Sequence, residues 1–183
     1  GTSWSSVSTA ASDNDNSSSD GGFSPHYQLN DISYGSSTYV IVGSNYSGSA
    51  GSIYTSSDGT TWTLRSSGTT KTLYGVTYGN SNFFAVGSQG IVLKSSDGTS
   101  WSSVSTVASD NDNSSCGNSC GFSNSNLLND ISYGSNTYVI VGSNYSGSAG
   151  SIYTSSDGTT WTLRSSGTTK TLYGVTYGNS NFF

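Results

Sequence analysis

The sequence predicts an all-β fold, an array of small antiparallel sheets each packed on the next. Three observations predict it. The text repeats itself almost verbatim, apolar residues come in short runs of strand length, and no stretch carries the 3.6-residue apolar period of an amphipathic helix. With 24 Gly among 183 residues, a long helix would also lose roughly 1 kcal/mol at each glycine relative to alanine.

The repeat has two levels. Ile32 to Phe84 and Ile131 to Phe183 are the same string except that Ser37 becomes Asn136, and the opening GTSWSSVST returns at Gly98 to Thr106. Inside it the pattern S-x-D-G-x-x-W occurs at Ser56, Asp58, Gly59 and Trp62, at Ser95, Asp97, Gly98 and Trp101, and at Ser155, Asp157, Gly158 and Trp161. Trp4 closes the tail of a fourth, and the Trp spacings of 58, 39 and 60 make a long unit alternate with a short one. Each interval also holds Y-G-x-x-x-(Y/F) and an apolar run ending in V-G, at Tyr34–Gly43, Tyr78–Gly87 and Tyr133–Gly142.

The short unit shows the elements in order. Leu73 to Tyr78 is rich in β-formers, and Phe83 to Val86 is a continuous apolar run. Ile91 to Leu93 follows Gly90, and Trp101 to Val104 closes the set. Asp-Gly inside each S-x-D-G-x-x-W string signals a tight hairpin, because Gly accepts positive φ without strain and Asp tolerates it. Four strands make one meandering sheet, which cannot bury both faces alone, so the units must stack. Radial stacking of four-stranded sheets, about 40 to 50 residues each, is a β-propeller. The expected layout is one repeat domain, 1–183, with blades near 30–66, 71–105 and 129–165. A last, incomplete blade at 170–183 is completed by an outer strand from 1–7, and 8–29 and 106–128 are long loops.

Composition removes several classes. Five Lys and Arg against ten acidic residues give a net charge of −5, which offers no footprint for a phosphate backbone, so nucleic acid is not an expected partner. No apolar run approaches the roughly 20 residues that span a bilayer. Charged residues are only 8%, too few for disorder by self-repulsion, and 13% aromatics supply burial that the few aliphatics do not. The chain starts at Gly1 without any Met, so it reads as a processed form or a piece of something longer.

The S-x-D-G-x-x-W strings resemble the Asp-box, or BNR repeat, of sialidases and of many bacterial and extracellular β-propellers. The resemblance implies a propeller in which the box forms the turn between the third and fourth strands of a blade. This chain departs from the pattern in having Asp and Gly adjacent, which shortens the turn. It also implies that catalysis, where such proteins have it, lies in an arginine cluster, an acid and a Tyr-Glu pair. Here the only arginines are Arg65 and Arg164, copies of each other, and there is no Glu. Glycoside hydrolysis needs two carboxylates in contrasting environments, so sialidase activity, and enzyme activity generally, is not expected. The box aspartates are read as acceptors of turn N–H groups.

The remaining candidates lie in loops. Asp13-Asn14-Asp15-Asn16 and Asp110-Asn111-Asp112-Asn113 alternate oxygen ligands as a calcium loop does, but Ser18 and Ser115 stand where an EF-hand needs glycine and no Glu follows. A solvated loop is the reading, with Asp13, Asp15, Asp110 and Asp112 kept as the calcium alternative and no other cofactor. Cys116 and Cys120, in an insertion that the first copy lacks, suit a local disulfide, which persists outside a reducing cytosol. With N-x-S strings at Asn16, Asn45, Asn113 and Asn144, they point to a secreted or cell-surface protein. The copies differ most between Ser19 and Leu29 against Cys116 and Leu128, so Phe23, His26 and Tyr27 in one copy and Phe122, Asn124 and Asn126 in the other are the candidate ligand contacts. The expected function is a non-catalytic extracellular scaffold of tandem blades, partnered by other copies of itself or neighbouring repeats through terminal strand complementation. The alternative is a glycan-binding lectin or adhesin.

Overall fold

The computed structural model describes residues 10–12, 28–45, 50–104, 107–109, 126–143 and 149–183. The strands are β1 (Ala10–Ser12), β2 (Gln28–Gly35), β3 (Thr38–Ser44), β4 (Gly51–Ser56), β5 (Thr61–Arg65), β6 (Leu73–Gly79), β7 (Asn82–Gly87) and β8 (Val92–Ser95). They continue as β9 (Ser102–Ser103), β10 (Val107–Ser109), β11 (Leu127–Gly134), β12 (Thr137–Ser143), β13 (Gly150–Ser155), β14 (Thr160–Arg164), β15 (Tyr177–Gly178) and β16 (Asn181–Phe182). No described residue is helical.

Antiparallel meanders build three blades: β2 to β5, β6 to β9, and β11 to β14. The fourth is the hairpin β15–β16, so the last unit is incomplete, as its text predicts. The first hairpin of each blade turns on two residues with positive φ, Ser36 and Ser37 (47° and 58°), Asn80 and Ser81 (45° and 60°), Ser135 and Asn136 (47° and 59°), and Asn179 and Ser180 (49° and 63°). Positive φ at both central residues is the type I′ geometry whose twist matches the flanking strands. The exchange of Ser37 for Asn136 therefore falls where Asn is the better-suited residue.

Two long loops are corrected. Within 8–29, β1 pairs in parallel with β5, Ala11 opposite Trp62; within 106–128, β10 does the same with β14, Ala108 opposite Trp161. The outer strand of each long blade would otherwise present a row of unpaired N–H and C=O groups, which the extra strand takes up. The short blade ends instead in the two-residue β9. Strands β2 and β11 also begin earlier than expected, at Gln28 and Leu127.

The cores lie between consecutive blades. Val40, Val42 and Ile53 of the first meet Leu73, Val76, Phe83, Ala85 and Leu93 of the second. Phe84, Val86 and Val92 of the second meet Leu128, Ile131, Tyr138, Ile140, Tyr153 and Trp161 of the third. Strands β2, β6, β11 and β15 pack in succession as the innermost strands. Identical residues of the first and third blades differ in burial: Ile131, packed on the second blade, is 3% exposed and Ile32 54%, Leu128 0% and Leu29 42%.

Candidate functional site

Three aspartates sit where the third strand of a blade turns into the fourth. Asp58 accepts the backbone N–H of Thr60 and of Thr61 at 2.7 Å and the Ser56 hydroxyl at 2.9 Å. Asp97 repeats this with Thr99 N–H (2.7 Å), Ser100 N–H and Ser95 Oγ–H (both 2.9 Å), and Asp157 with Thr159 and Thr160 N–H (2.8 Å) and Ser155 Oγ–H (2.9 Å). The Ser oxygen in turn accepts the Gly N–H, at 2.8 Å from Gly59, Gly98 and Gly158. Those glycines have φ of 75°, 77° and 73°, so each turn needs a residue without Cβ strain. Bonds from Thr61, Ser100 and Thr160 N–H lead the causes that hold the three carboxyls well below the usual carboxylate range. The Trp that ends each string is inserted in the packing: Trp62 and Trp161 are buried, and Trp101, partly buried, donates Nε1–H to the Gly98 carbonyl at 2.8 Å.

Two further aspartates hold blades together. A register shift between Leu29 and Asp31, repeated between Leu128 and Asp130, bends β2 and β11 and re-aims the Asn-Asp pair toward the next blade. Asn30 Nδ2 donates to the Leu73 carbonyl at 2.6 Å, while Asp31 accepts the Val76 N–H at 2.7 Å. Asn129 and Asp130 repeat this on the Leu172 carbonyl and Val175 N–H, at 2.7 and 2.8 Å. Burial raises both carboxyls above the ordinary value, against the pull of the N–H bonds they accept.

The seam from second to third blade is built differently. Tyr138 Oη donates to the Gly79 carbonyl at 2.6 Å, and its ring lies 4.7 Å from that of Phe84. Gly75 packs on the Asp130 backbone, where a Cβ would stand 2.8 Å from the Asp130 Cα.

A common device recurs at every seam. A Cβ on Gly35 would overlap the ring of Tyr78, one on Gly79 the ring of Tyr133, and one on Gly134 the ring of Tyr177. These are the Y-G dipeptides of the repeat. Neighbouring residues in a strand face opposite sides of the sheet, so each dipeptide gives a blade a ring toward its predecessor and a socket toward its successor.

Of the loop candidates, only Asn126 lies among the described residues, and its role is corrected. It is 7% exposed; its carbonyl accepts the Gly90 N–H at 3.0 Å, and its Nδ2 donates to the Tyr153 hydroxyl at 3.2 Å. The residue is buried, with its main chain tied to the second blade and its side-chain amide turned into its own, instead of facing a ligand. Trp4, Asp13, Asp15, Phe23, His26, Tyr27, Asp110, Asp112, Cys116, Cys120, Phe122 and Asn124, like the strand assigned to 1–7, lie outside the described residues. Among the described residues no three His, Cys, Asp or Glu side chains gather as a metal site, and no helix is long and apolar enough to cross a membrane. Arg65 and Arg164 lie on different blades, each donating Nε–H to a cross-strand Thr hydroxyl at 2.9 Å, Thr55 and Thr154.

The sequence reading missed the Asn-Asp clamps and the ring-and-socket seam. The recurrent Y-G and the Asn-Asp that precedes Ile32 and Ile131 are the signals that carry them.

No family model matches the chain, and no curated protein matches it. Solved structures do. YCF48 bound to a D1 peptide is similar with a TM-score of 0.58 and 17% identity, over 86% of this chain and 48% of that one. YCF48 from Cyanidioschyzon merolae is similar with a TM-score of 0.50 and 21% identity, over 75% of this chain and 37% of that one. The chain spans about half or less of the length of these propellers. At such identity the likeness is one of fold: this chain is an array of β-propeller blades.

Proposed function

We propose that this chain is a non-catalytic structural scaffold, a secreted or cell-surface protein of tandem Asp-box propeller repeats whose recurring acids hold shape. One observation carries it. All five described aspartates, Asp31, Asp58, Asp97, Asp130 and Asp157, accept backbone N–H groups of a turn or of the next blade. A general acid or base needs its carboxyl free to meet a proton in the substrate, and these five are engaged. The partly shared architecture of a propeller that binds a peptide makes protein partners the natural ones to look for.

A thermal-shift and array screen against a broad glycan panel, run with a glycoside hydrolase panel, tests the reading. Flat responses and no turnover are expected. Saturable binding of one sugar class would replace the scaffold with a lectin, and turnover of any glycoside would overturn it.

A further inference from the structure

We propose that the serine opening each S-x-D-G-x-x-W string guards the Asp-Gly peptide that follows it against rearrangement to isoaspartate. The sites at risk are Asp58-Gly59, Asp97-Gly98 and Asp157-Gly158, guarded by Ser56, Ser95 and Ser155. This chemistry is independent of the scaffold reading and of any ligand.

Asp-Gly is where the rearrangement is least hindered, because glycine puts no side chain in the way of its own nitrogen. The Gly nitrogen bonds to the Asp Cγ, its proton and the carboxyl OH leave as water, and a five-membered succinimide closes. Water then opens the ring. Addition at the former side-chain carbonyl restores Asp, whereas addition at the main-chain carbonyl routes the backbone through the side chain as isoaspartate. The nitrogen must lose its proton to base, and the carboxyl must swing its carbon onto that nitrogen, reacting fastest as the neutral acid.

The box opposes each requirement. The Ser Oγ accepts the Gly N–H at 2.8 Å in all three copies. The three serines are buried, so that proton faces a hydroxyl instead of solvent base. The same hydroxyl gives its single hydrogen to the Asp Oδ1 at 2.9 Å, and thereby latches nucleophile and electrophile together. Two backbone N–H groups beyond the glycine hold Oδ1 from the other side, at 2.7 to 2.9 Å. Bringing Cγ onto the nitrogen breaks these bonds, and while they last they favour the ionised carboxylate, a poor electrophile.

Packing between blades adds to the latch. A Cβ on Gly98 would stand 3.0 Å from a methyl carbon of Val40 on the first blade, and one on Gly158 would overlap the ring of Phe84 on the second. The main chain at these two glycines cannot swing without displacing a neighbouring blade, so rearrangement waits for a local opening.

Ageing the 183-residue chain at neutral pH, folded in buffer and in parallel unfolded in concentrated urea, tests this. Isoaspartate at each box is quantified after digestion by electron-transfer fragmentation, which distinguishes it from Asp at equal mass. All three boxes should age at least roughly tenfold more slowly in the folded chain, since opening one breaks several hydrogen bonds. In folded Ser95→Ala, which removes two of them, isoaspartate at Asp97 should rise on the order of tenfold while the Asp58 and Asp157 boxes of the same molecules stay slow. Ser155→Ala should move the rise to Asp157, and Ser95→Thr, which keeps the hydroxyl, should keep the Asp97 box slow. Equal ageing in buffer and urea, or no rise at Asp97 in Ser95→Ala, would overturn the proposal. A rise shared equally by all three boxes would overturn it too, because the serine would then only be holding the fold.

Discussion

Replacing Ile32 and Ile131 separately by alanine makes one substitution in the same local text and asks what a neighbouring blade contributes. Ile131 is 3% exposed in the core shared with the second blade, so Ile131→Ala should cost within the roughly 2 to 5 kcal/mol found for buried Ile or Leu truncations. Ile32 is already 54% exposed, leaves no closed cavity, and loses about half of the roughly 1.5 to 3 kcal/mol that full burial of such a side chain is worth, near 1 kcal/mol. The expected gap is about 2 kcal/mol, which at this chain length is about 4 to 8 °C in melting temperature. Urea midpoints followed by tryptophan fluorescence, with calorimetry alongside, would measure both variants. Equal losses would refute the reasoning, because they would require Ile32 to be as covered as Ile131.

The acid limb of the stability curve should report the turn aspartates. Their carboxyls are depressed below 3.8 in the fold, so their support is present above that value and disappears as pH falls through the folded-state value. Asp31 and Asp130 are raised and work in the opposite sense: their contribution is full below 3.8 and is lost as pH rises through their folded-state value. Urea midpoints should therefore drop below pH 4 in the native chain and drop less in an Asp97→Asn/Asp157→Asn double variant; an unchanged slope would count against the clamps. Tyr138→Phe leaves the buried Gly79 carbonyl without its 2.6 Å donor and should cost about 1 to 2 kcal/mol. It should also abolish the tyrosine titration that burial pushes up to about 12, and spectrophotometric titration reads that directly.

The blades were legible because their causes are local. Asp-Gly between apolar runs specifies a hairpin, and a verbatim repeat specifies that what one unit does the next does too, so strands β6 to β8 could be placed from the text and the other blades by analogy with them. The parallel β1 and β10 were not legible. Three residues such as Ala10-Ala11-Ser12 carry no period, and their pairing depends on the free edge of β5, a partner about fifty positions away. Asn126 was misread for a related reason. It differs between copies, which looks like recognition, yet its side-chain amide donates to Tyr153 and its backbone carbonyl is held by Gly90, contacts that only the stacked blades create. Asp31 and Asp130 went unnoticed because a clamp to a neighbouring blade has no signature beyond two ordinary polar residues.

The alternation of clamps imposes a parity rule on the architecture. Where a long blade carries Asp31 or Asp130, the short blade carries Gly75 at the same register, and that glycine lies against the Asp130 backbone with no room for another atom. Deleting a short unit, or duplicating a long one, would set two long blades together and drive one carboxylate side chain into the other's main chain. A change by a whole pair of units keeps every such seam as it is built here, and the near-perfect copy in this chain is the pair, not the unit.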